Sequence, residues 1–237
     1  IDKELFYTKL ATILSYLVID YFETNIIKQI LYSNYFYFEE SEFNTILKLC
    51  EENLYDSSEF SLPNRQLLLF DIFYEYISNH HSIVLSGFIN FRLSKYKKLI
   101  EELVDLSVNE FIIEREYLEF ISLLKLYINS QPSSNTIIHV ISFENKILLL
   151  DDTMKKISID KSSLKAKYLS DVSFSNNDYI LNTLLTLLPK KIHLHIISAS
   201  GNSEFLNTLQ LIFENRIDIC YDCNICSMYK KINIKNN

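Results

Sequence analysis

The segment Pro189-Lys-Lys-Ile-His-Leu-His-Ile-Ile-Ser198 sets the architecture of the C-terminal part of this chain. Residues 192–197 contain almost no charge, so they are expected to form a strand in the middle of a sheet. A helical pattern follows from Glu204 to Glu214, and Ile217-Asp-Ile219 has the composition of a second short strand. The order strand, helix, strand predicts a right-handed crossover between two parallel strands.

A β-hairpin is expected upstream of this segment. Residues 136–142 and 147–150 are both rich in apolar β-formers, and the four residues Phe143-Glu-Asn-Lys146 connect them as a turn. A helix is predicted at 177–188, between the hairpin and the central strand. These elements together predict a small α/β domain that contains a β-hairpin and a βαβ unit.

The N-terminal part has the periodicity of helices. Apolar residues recur there at three- and four-residue spacing, which predicts helices at 4–31, 41–53, 64–80 and 82–129, with a break in the last at 92–94. Gln131-Pro-Ser-Ser-Asn135 ends this pattern and marks a domain boundary. We therefore predict an α+β protein with an α-helical domain at 1–131, an α/β domain at 136–226 and a tail at 227–237.

The composition excludes several classes of protein. The 237 residues carry a net charge of −7, which argues against nucleic acid as a partner. The chain has two glycines, Gly87 and Gly201, so a P-loop and a G-x-G-x-x-G dinucleotide loop are excluded. No apolar run is long enough to span a membrane. Four cysteines, three of them crowded, indicate a reducing compartment, and we expect a cytoplasmic protein.

The three crowded cysteines, Cys220, Cys223 and Cys226, form a Cys-x-x-Cys-x-x-Cys motif. Thiolates at this spacing suit zinc or an iron–sulfur cluster, because both are thiophilic. The ferredoxin motif continues with a fourth cysteine four residues on, and here that position is Lys230. The motif therefore supplies three ligands, and the cofactor stays open between zinc and an iron–sulfur cluster.

The fourth ligand is best supplied by His195. His193 and His195 share one face of their strand, because side chains alternate along a strand. If the strand at 217–219 is its parallel neighbour, Cys220 emerges at the carboxyl end of that sheet, close to His195. The remaining candidates are His193, Asp222, the distant Cys50, a water molecule or a second protein molecule.

This region offers two functions besides metal binding, and only the first of them uses the same cysteines. The cysteines can act as a redox dithiol, but a thioredoxin-type Cys-x-x-Cys precedes a helix, and no strong helical pattern follows Cys226. Gly201, Asn202 and Ser203 can bind an anion at the N-terminus of the next helix, although an ordinary capping loop explains the same residues. No residue is identified as catalytic.

Three segments resemble the YtxC-like family of endospore-forming bacteria, which is named after the sporulation protein YtxC. They are Phe91–Tyr96, leading to Glu116–Lys125 and Gln131; Leu181–His195, which contains Leu-Pro-Lys-Lys-Ile-His-Leu-His; and Leu209–Cys220, continuing to Cys226. Where we expect a glycine before the middle cysteine, this chain has Asp222, so the turn around Cys223 differs from the family pattern.

The resemblance implies a sporulation-associated cytoplasmic protein with no established biochemical activity. We expect it to be non-enzymatic, to use the cysteine cluster for a metal ion or to contact a protein partner, and to have no membrane span. The alternative is an iron–sulfur or dithiol redox protein that uses the same cysteines.

Overall fold

The structure is a computed structural model that describes residues 2–56, 58–143, 146–159, 175–197 and 203–236. The internal contacts of the chain group it into two units, Ile1–Glu116 and Tyr117–Asn237. The first unit is helical and the second combines helices with a four-stranded sheet. This confirms the predicted α+β class. The domain boundaries predicted from the sequence stay a prediction.

The first unit consists of helices that end close to where the periodicity predicts. They are α1 (Lys3–Tyr21), α2 (Glu23–Asn34), α3 (Glu40–Asp56), α4 (Leu62–Asn79), α5 (Leu85–Phe91) and the first part of α6 (Ser94–Ser130). The break between α5 and α6 lies at 92–93, as predicted. The single helix predicted for 4–31 is wrong, because the helix is interrupted at Phe22 and bends by 51°.

A buried ionic network lies next to this bend. Glu23 is buried and pairs with the guanidinium of Arg65 on α4, while Tyr96 on α6 donates its hydroxyl proton to the same carboxylate. Arg65 Nε also donates to the carbonyl of Phe60 at 2.7 Å. Both oxygens of the carboxylate are thus hydrogen-bonded, as burial of a charge requires. The apolar core around the network comes from α1 to α6.

The second unit is built on a sheet with the strand order β2-β1-β3-β4. Its elements are β1 (Ile137–Phe143), β2 (Lys146–Leu150), α7 (Asn176–Leu187), β3 (Lys191–Ile196), α8 (Ser203–Phe213), a 3-10 turn (Glu214–Arg216), β4 (Ile217–Cys220) and α9 (Asn224–Asn236), together with the last part of α6. β1 and β2 form the predicted antiparallel hairpin, and β3 and β4 form the predicted parallel pair. The hairpin joins the βαβ unit because β1 pairs with β3 in parallel.

The two faces of this sheet have different environments. One face packs its apolar side chains, such as Val140 and Leu194, against α6, α7 and α8 to form the core of the unit. The opposite face carries histidines, and α9 covers part of it through a ring contact between Tyr229 and Phe143 of β1. The sheet thus separates an apolar core from a face that holds titratable groups.

The helix α9 overturns one expectation from the sequence. No strong helix was expected after Cys226, but α9 begins at Asn224, directly after Cys223. The backbone N–H of Cys226 donates to the Cys223 sulfur at 3.5 Å, so a cysteine occupies the capping position that usually belongs to Ser, Thr, Asp or Asn. Because the cap is a thiol and the helix is polar, the usual signals of a helix start are missing.

Within the described residues, no single helix has the length and apolar character needed to cross a membrane. The helices α1 and α2 meet that requirement only when they are taken together as a bent pair.

Candidate metal centre

Four side chains from three elements of the second unit converge beyond the end of β4. The pairing of β3 with β4 places His195 opposite Cys220, the last residue of its strand. A short turn then leads to Cys223 and Cys226 at the start of α9. These are the four residues that the sequence predicts as ligands, and the structure brings all of them together.

Four of the six distances between the ligand atoms match those around a single tetrahedral ion. Zinc–sulfur bonds of about 2.3 Å and zinc–nitrogen bonds of about 2.0–2.1 Å require about 3.8 Å between sulfurs and about 3.5 Å between sulfur and nitrogen. The Cys226 sulfur lies 3.8 Å from that of Cys220 and 3.7 Å from that of Cys223. His195 Nδ1 lies 3.5 Å from the sulfurs of Cys223 and Cys226. All four atoms lie within 4.8 Å of one another.

The cluster is buried on the side of the sheet and partly open on the side of the turn. His195 is 3 % exposed and Cys226 is fully buried, whereas Cys220 at the end of β4 and Cys223 in the turn are half-buried. All three cysteines are free thiols. An ion held by these four groups would have a complete set of protein ligands, which is typical of structural zinc sites.

The local environment shifts the pKa values of Cys223 and Cys226 in opposite directions. Burial alone would raise the pKa of Cys223, but hydrogen bonds from the backbone N–H of Cys226 and from the neighbouring thiols outweigh it, so the pKa lies below its ordinary value. The pKa of Cys226 is raised to about 11, first by burial and then by the adjacent sulfurs of Cys223 and Cys220, against a lowering by the backbone hydrogen bond at Cys223. A metal ion would oppose this effect, because a coordinating thiol is deprotonated.

His195 is in the protonation state that a ligand needs. Burial, followed by the proximity of His139 and His193, lowers the pKa of His195 to about 4. The ring is therefore neutral at pH 7, and one of its nitrogens has a free lone pair. A neutral imidazole nitrogen is a common ligand of zinc.

A row of three histidine rings extends from the cluster across the sheet. His195 Nε2 lies 2.9 Å from Nδ1 of His139, and the ring of His139 also stacks on that of His193 at 5.1 Å. At the far end, His193 Nδ1 lies 3.8 Å from a carboxylate oxygen of Asp218, which also pairs with Lys191 at 2.6 Å. Burial is the main cause that lowers the pKa of His139, and electrostatic repulsion from His193 is the second.

Sequence reasoning did not identify His139 as part of the site. Only the pairing of β1 with β3 connects His139 to the site, because it puts His139 opposite His193 and on the same face as His195. That pairing joins residues more than 50 positions apart, so no local pattern reveals it.

The other candidate ligands lie elsewhere. His193 is in the histidine row and not among the ligand atoms that converge. Asp222 is exposed and lies 4.0 Å from the Lys230 ammonium. Cys50 is buried in the core of the first unit. In the predicted anion site, Ser203 is the first residue of α8, while Gly201 and Asn202 lie outside the described residues.

Comparison with known proteins identifies the family of the chain. The model of the YtxC-like family matches residues 8–218, which is nearly the whole chain. The matched part includes His139 and His195 and ends two residues before Cys220, so the case for a metal at the cysteines depends on the geometry. No curated protein and no solved structure gives a significant match. With a match of this extent, the chain belongs to the YtxC-like family.

Proposed function

We propose that this chain is a sporulation-associated cytoplasmic protein without enzymatic activity, and that it binds one zinc ion through His195, Cys220, Cys223 and Cys226. Family membership supports the link to sporulation. Three free thiols that lie close together support a reducing compartment. The ion would attach α9 to the ends of β3 and β4 and so stabilise that surface, which is then available to a protein partner.

The observation that carries the zinc proposal is the spacing of the four ligand atoms. Distances of 3.5 Å to 3.8 Å leave room for a single ion and not for a cluster of several iron and sulfide atoms. A catalytic zinc site keeps one position open for water or substrate. Here four protein groups would fill the tetrahedron, and this favours a structural role.

One observation favours a dithiol function as the second candidate. Cys223 caps the N-terminus of α9 and has a lowered pKa, and the Cys226 sulfur lies 3.7 Å away. This is the arrangement of a thioredoxin-type Cys-x-x-Cys at the start of a helix. In that case Cys223 would be the attacking thiolate and Cys226 the resolving thiol.

The first test is the metal content of the protein purified without oxygen. We expect one zinc per chain and no visible colour, and we expect cobalt substitution to give the absorption of a tetrahedral thiolate complex. Iron with sulfide and a brown colour would replace zinc with an iron–sulfur cluster. No metal, together with a disulfide that forms reversibly between Cys223 and Cys226, would establish the dithiol candidate instead.

A pair of cysteine variants makes this test specific. Cys220→Ser should abolish stoichiometric zinc binding and lower the melting temperature, because the binding energy of a structural metal is also folding energy. Cys50→Ser is the control, since it removes a buried thiol from the other unit. It should leave the zinc content at one per chain. Equal zinc content in wild type and Cys220→Ser would contradict the proposed ligand set.

A further inference from the structure

His139 of β1 contacts the four-residue cluster from outside it. Its Nδ1 lies 2.9 Å from Nε2 of His195, and the two rings lie edge to edge and nearly coplanar, with 5.2 Å between centroids and 19° between planes. The register of β1 and β3 holds His139 on this face of the sheet. The contact therefore comes from the sheet itself and does not depend on α9.

The direction of this hydrogen bond decides whether His195 can bind a metal. A neutral imidazole has one N–H, and its other nitrogen has the lone pair. His195 Nδ1 is the atom that faces the sulfurs of Cys223 and Cys226. It can coordinate an ion only when the proton of His195 is on Nε2, which is the nitrogen that faces His139.

The two rings must then adopt matching tautomers. When His195 Nε2–H donates, His139 Nδ1 accepts, and the proton of His139 is on its own Nε2. If His139 donated instead, the proton of His195 would be on Nδ1 and would point at the sulfurs, where it would block the ion. The tautomer of His139 thus selects the form of His195 that binds metal.

We propose that His139 is a positioning residue of the metal site, which accepts the Nε2 proton of His195 and so holds the ring in the tautomer and orientation that zinc requires. This inference rests on the proposed zinc site. Metal-bound histidines generally donate their second N–H to a fixed partner, and loss of that partner weakens metal binding about 10- to 100-fold.

The neighbouring His193 provides a matched control. It is in the same row and stacks on the same ring of His139, with 5.1 Å between centroids. Its Nδ1, however, faces Asp218 at 3.8 Å and not His195. Replacement of His193 by phenylalanine changes the row and its packing without removing the hydrogen bond to the ligand.

The experiment measures the zinc dissociation constant of the full chain by competition with a chelator of known affinity. We expect His139→Phe, which keeps an aromatic ring at this position but has no acceptor, to weaken binding about 10- to 100-fold. His139→Asn, whose amide oxygen reaches the position of Nδ1, should recover most of the loss. His193→Phe should bind zinc as tightly as wild type.

The possible results distinguish this inference from the zinc proposal. If wild type binds one zinc and His139→Phe binds it with the same affinity, the role of His139 is refuted while the site stands. If wild type binds no zinc, both fail. Should His139→Phe not fold, nitrogen-15 shifts of the wild-type imidazoles decide. We expect His195 to be metal-bound at Nδ1 and protonated at Nε2, and the reverse assignment would overturn the inference.

Discussion

At the scale of the residue, the buried carboxylate of Glu23 depends on its donors. Burial is the main cause that raises the pKa of Tyr96, and the negative charge of Glu23 is the second. The phenol therefore remains a proton donor at every ordinary pH. We expect Tyr96→Phe to lower the free energy of unfolding by about 1–3 kcal/mol, because the carboxylate loses a donor that water cannot replace. Urea unfolding at pH 7 measures the change.

The same measurement on two further variants tests this explanation. Glu23→Ala should cost about 3–5 kcal/mol, because it leaves the guanidinium of Arg65 buried without its anion. Tyr55→Phe removes a hydroxyl from a side chain that is 86 % exposed, and its effect should stay within about 0.5 kcal/mol. Equal stability of Tyr96→Phe and Tyr55→Phe would show that the hydrogen bond to Glu23 contributes nothing.

The thiols should differ in reactivity once the metal is removed. The lowered pKa of Cys223 increases its thiolate fraction at pH 7, whereas burial raises the pKa of Cys226 to about 11 and also raises that of Cys50. We expect iodoacetamide to label Cys223 first in chelator-treated protein. Peptide mass spectrometry gives the order, and bound zinc should protect Cys223. Faster labelling of Cys226 would contradict the environment described above.

At the scale of the element, Glu42 ties the start of α3 to α6. Its carboxylate accepts from the backbone N–H of Glu39 at 2.8 Å and from Arg115 at 2.9 Å, and these two contacts, in that order, lower its pKa. In the unfolded chain the carboxyl has a higher pKa and so binds protons more readily. The contribution of Glu42 is therefore present above its ordinary pKa and is lost as the pH falls through the folded value.

Glu42→Gln should remove this pH dependence. We expect the variant to be less stable than wild type at pH 7. The difference should shrink as the pH falls from about 4.3, the ordinary pKa of a glutamate, through the lower pKa of the folded state, below which both states of wild type are protonated. Urea unfolding at a series of pH values measures it. A difference that stays constant with pH would mean that the charge of Glu42 has no part in the effect.

The helix α9 should depend on the metal. It has 13 residues, and a helix this short is barely stable alone in water. Its described links to the sheet include the fully buried Cys226 and the ring contact of Tyr229 with Phe143. We expect chelation of zinc to increase hydrogen exchange in residues 224–231, with peptides from α4 as the unchanged control. Unchanged exchange in α9 would show that the ion does not hold it.

The sequence predicted the elements where local periodicity governs them. The helices of the first unit, the hairpin and the β3-α8-β4 unit follow from apolar spacing and turn residues. The interruption at Phe22 could not be predicted, because it brings Glu23 to Arg65, a partner 42 positions away. The start of α9 was missed because the capping atom is a sulfur.

At the scale of the whole molecule, the last part of α6 packs within the second unit. Ile121 and Ile128 are buried in its core, Tyr117 shares a hydrogen bond of 2.8 Å with Thr208, and Arg216 donates to the carbonyl of Ile128 at 2.9 Å. A domain boundary at 131–135, as the sequence predicts, would cut these contacts. The grouping of contacts instead divides the chain after Glu116.

Two fragments compare these boundaries. We expect residues 117–237 to unfold cooperatively and to bind zinc. We expect residues 136–237 to be much less stable, because each lost isoleucine removes about 1.5–3 kcal/mol of burial. Thermal unfolding followed by circular dichroism, with zinc present in both samples, measures the difference. Equal melting temperatures would support the boundary at 131–135.

The ligands of the candidate site were predictable where they lie close together in the sequence. The spacing of the three cysteines identified them, and the alternation of side chains along one strand, together with a parallel neighbour, selected His195 over His193. His139 could not be found in this way, because it reaches the site through the pairing of β1 with β3. Pairing between distant strands is a property of the folded sheet and not of any short pattern.

The distribution of the ligands along the chain has a consequence for the order of folding. Cys220, Cys223 and Cys226 lie within seven residues, so the unfolded chain already offers three thiolates to an ion. A ligand that binds both states stabilises the native one only by the ratio of its two affinities. Zinc would then stabilise the fold by less than its full binding energy, through the stronger hold that His195 and the ordered turn give it in the native state, and the sheet would assemble around an ion that the chain had already bound.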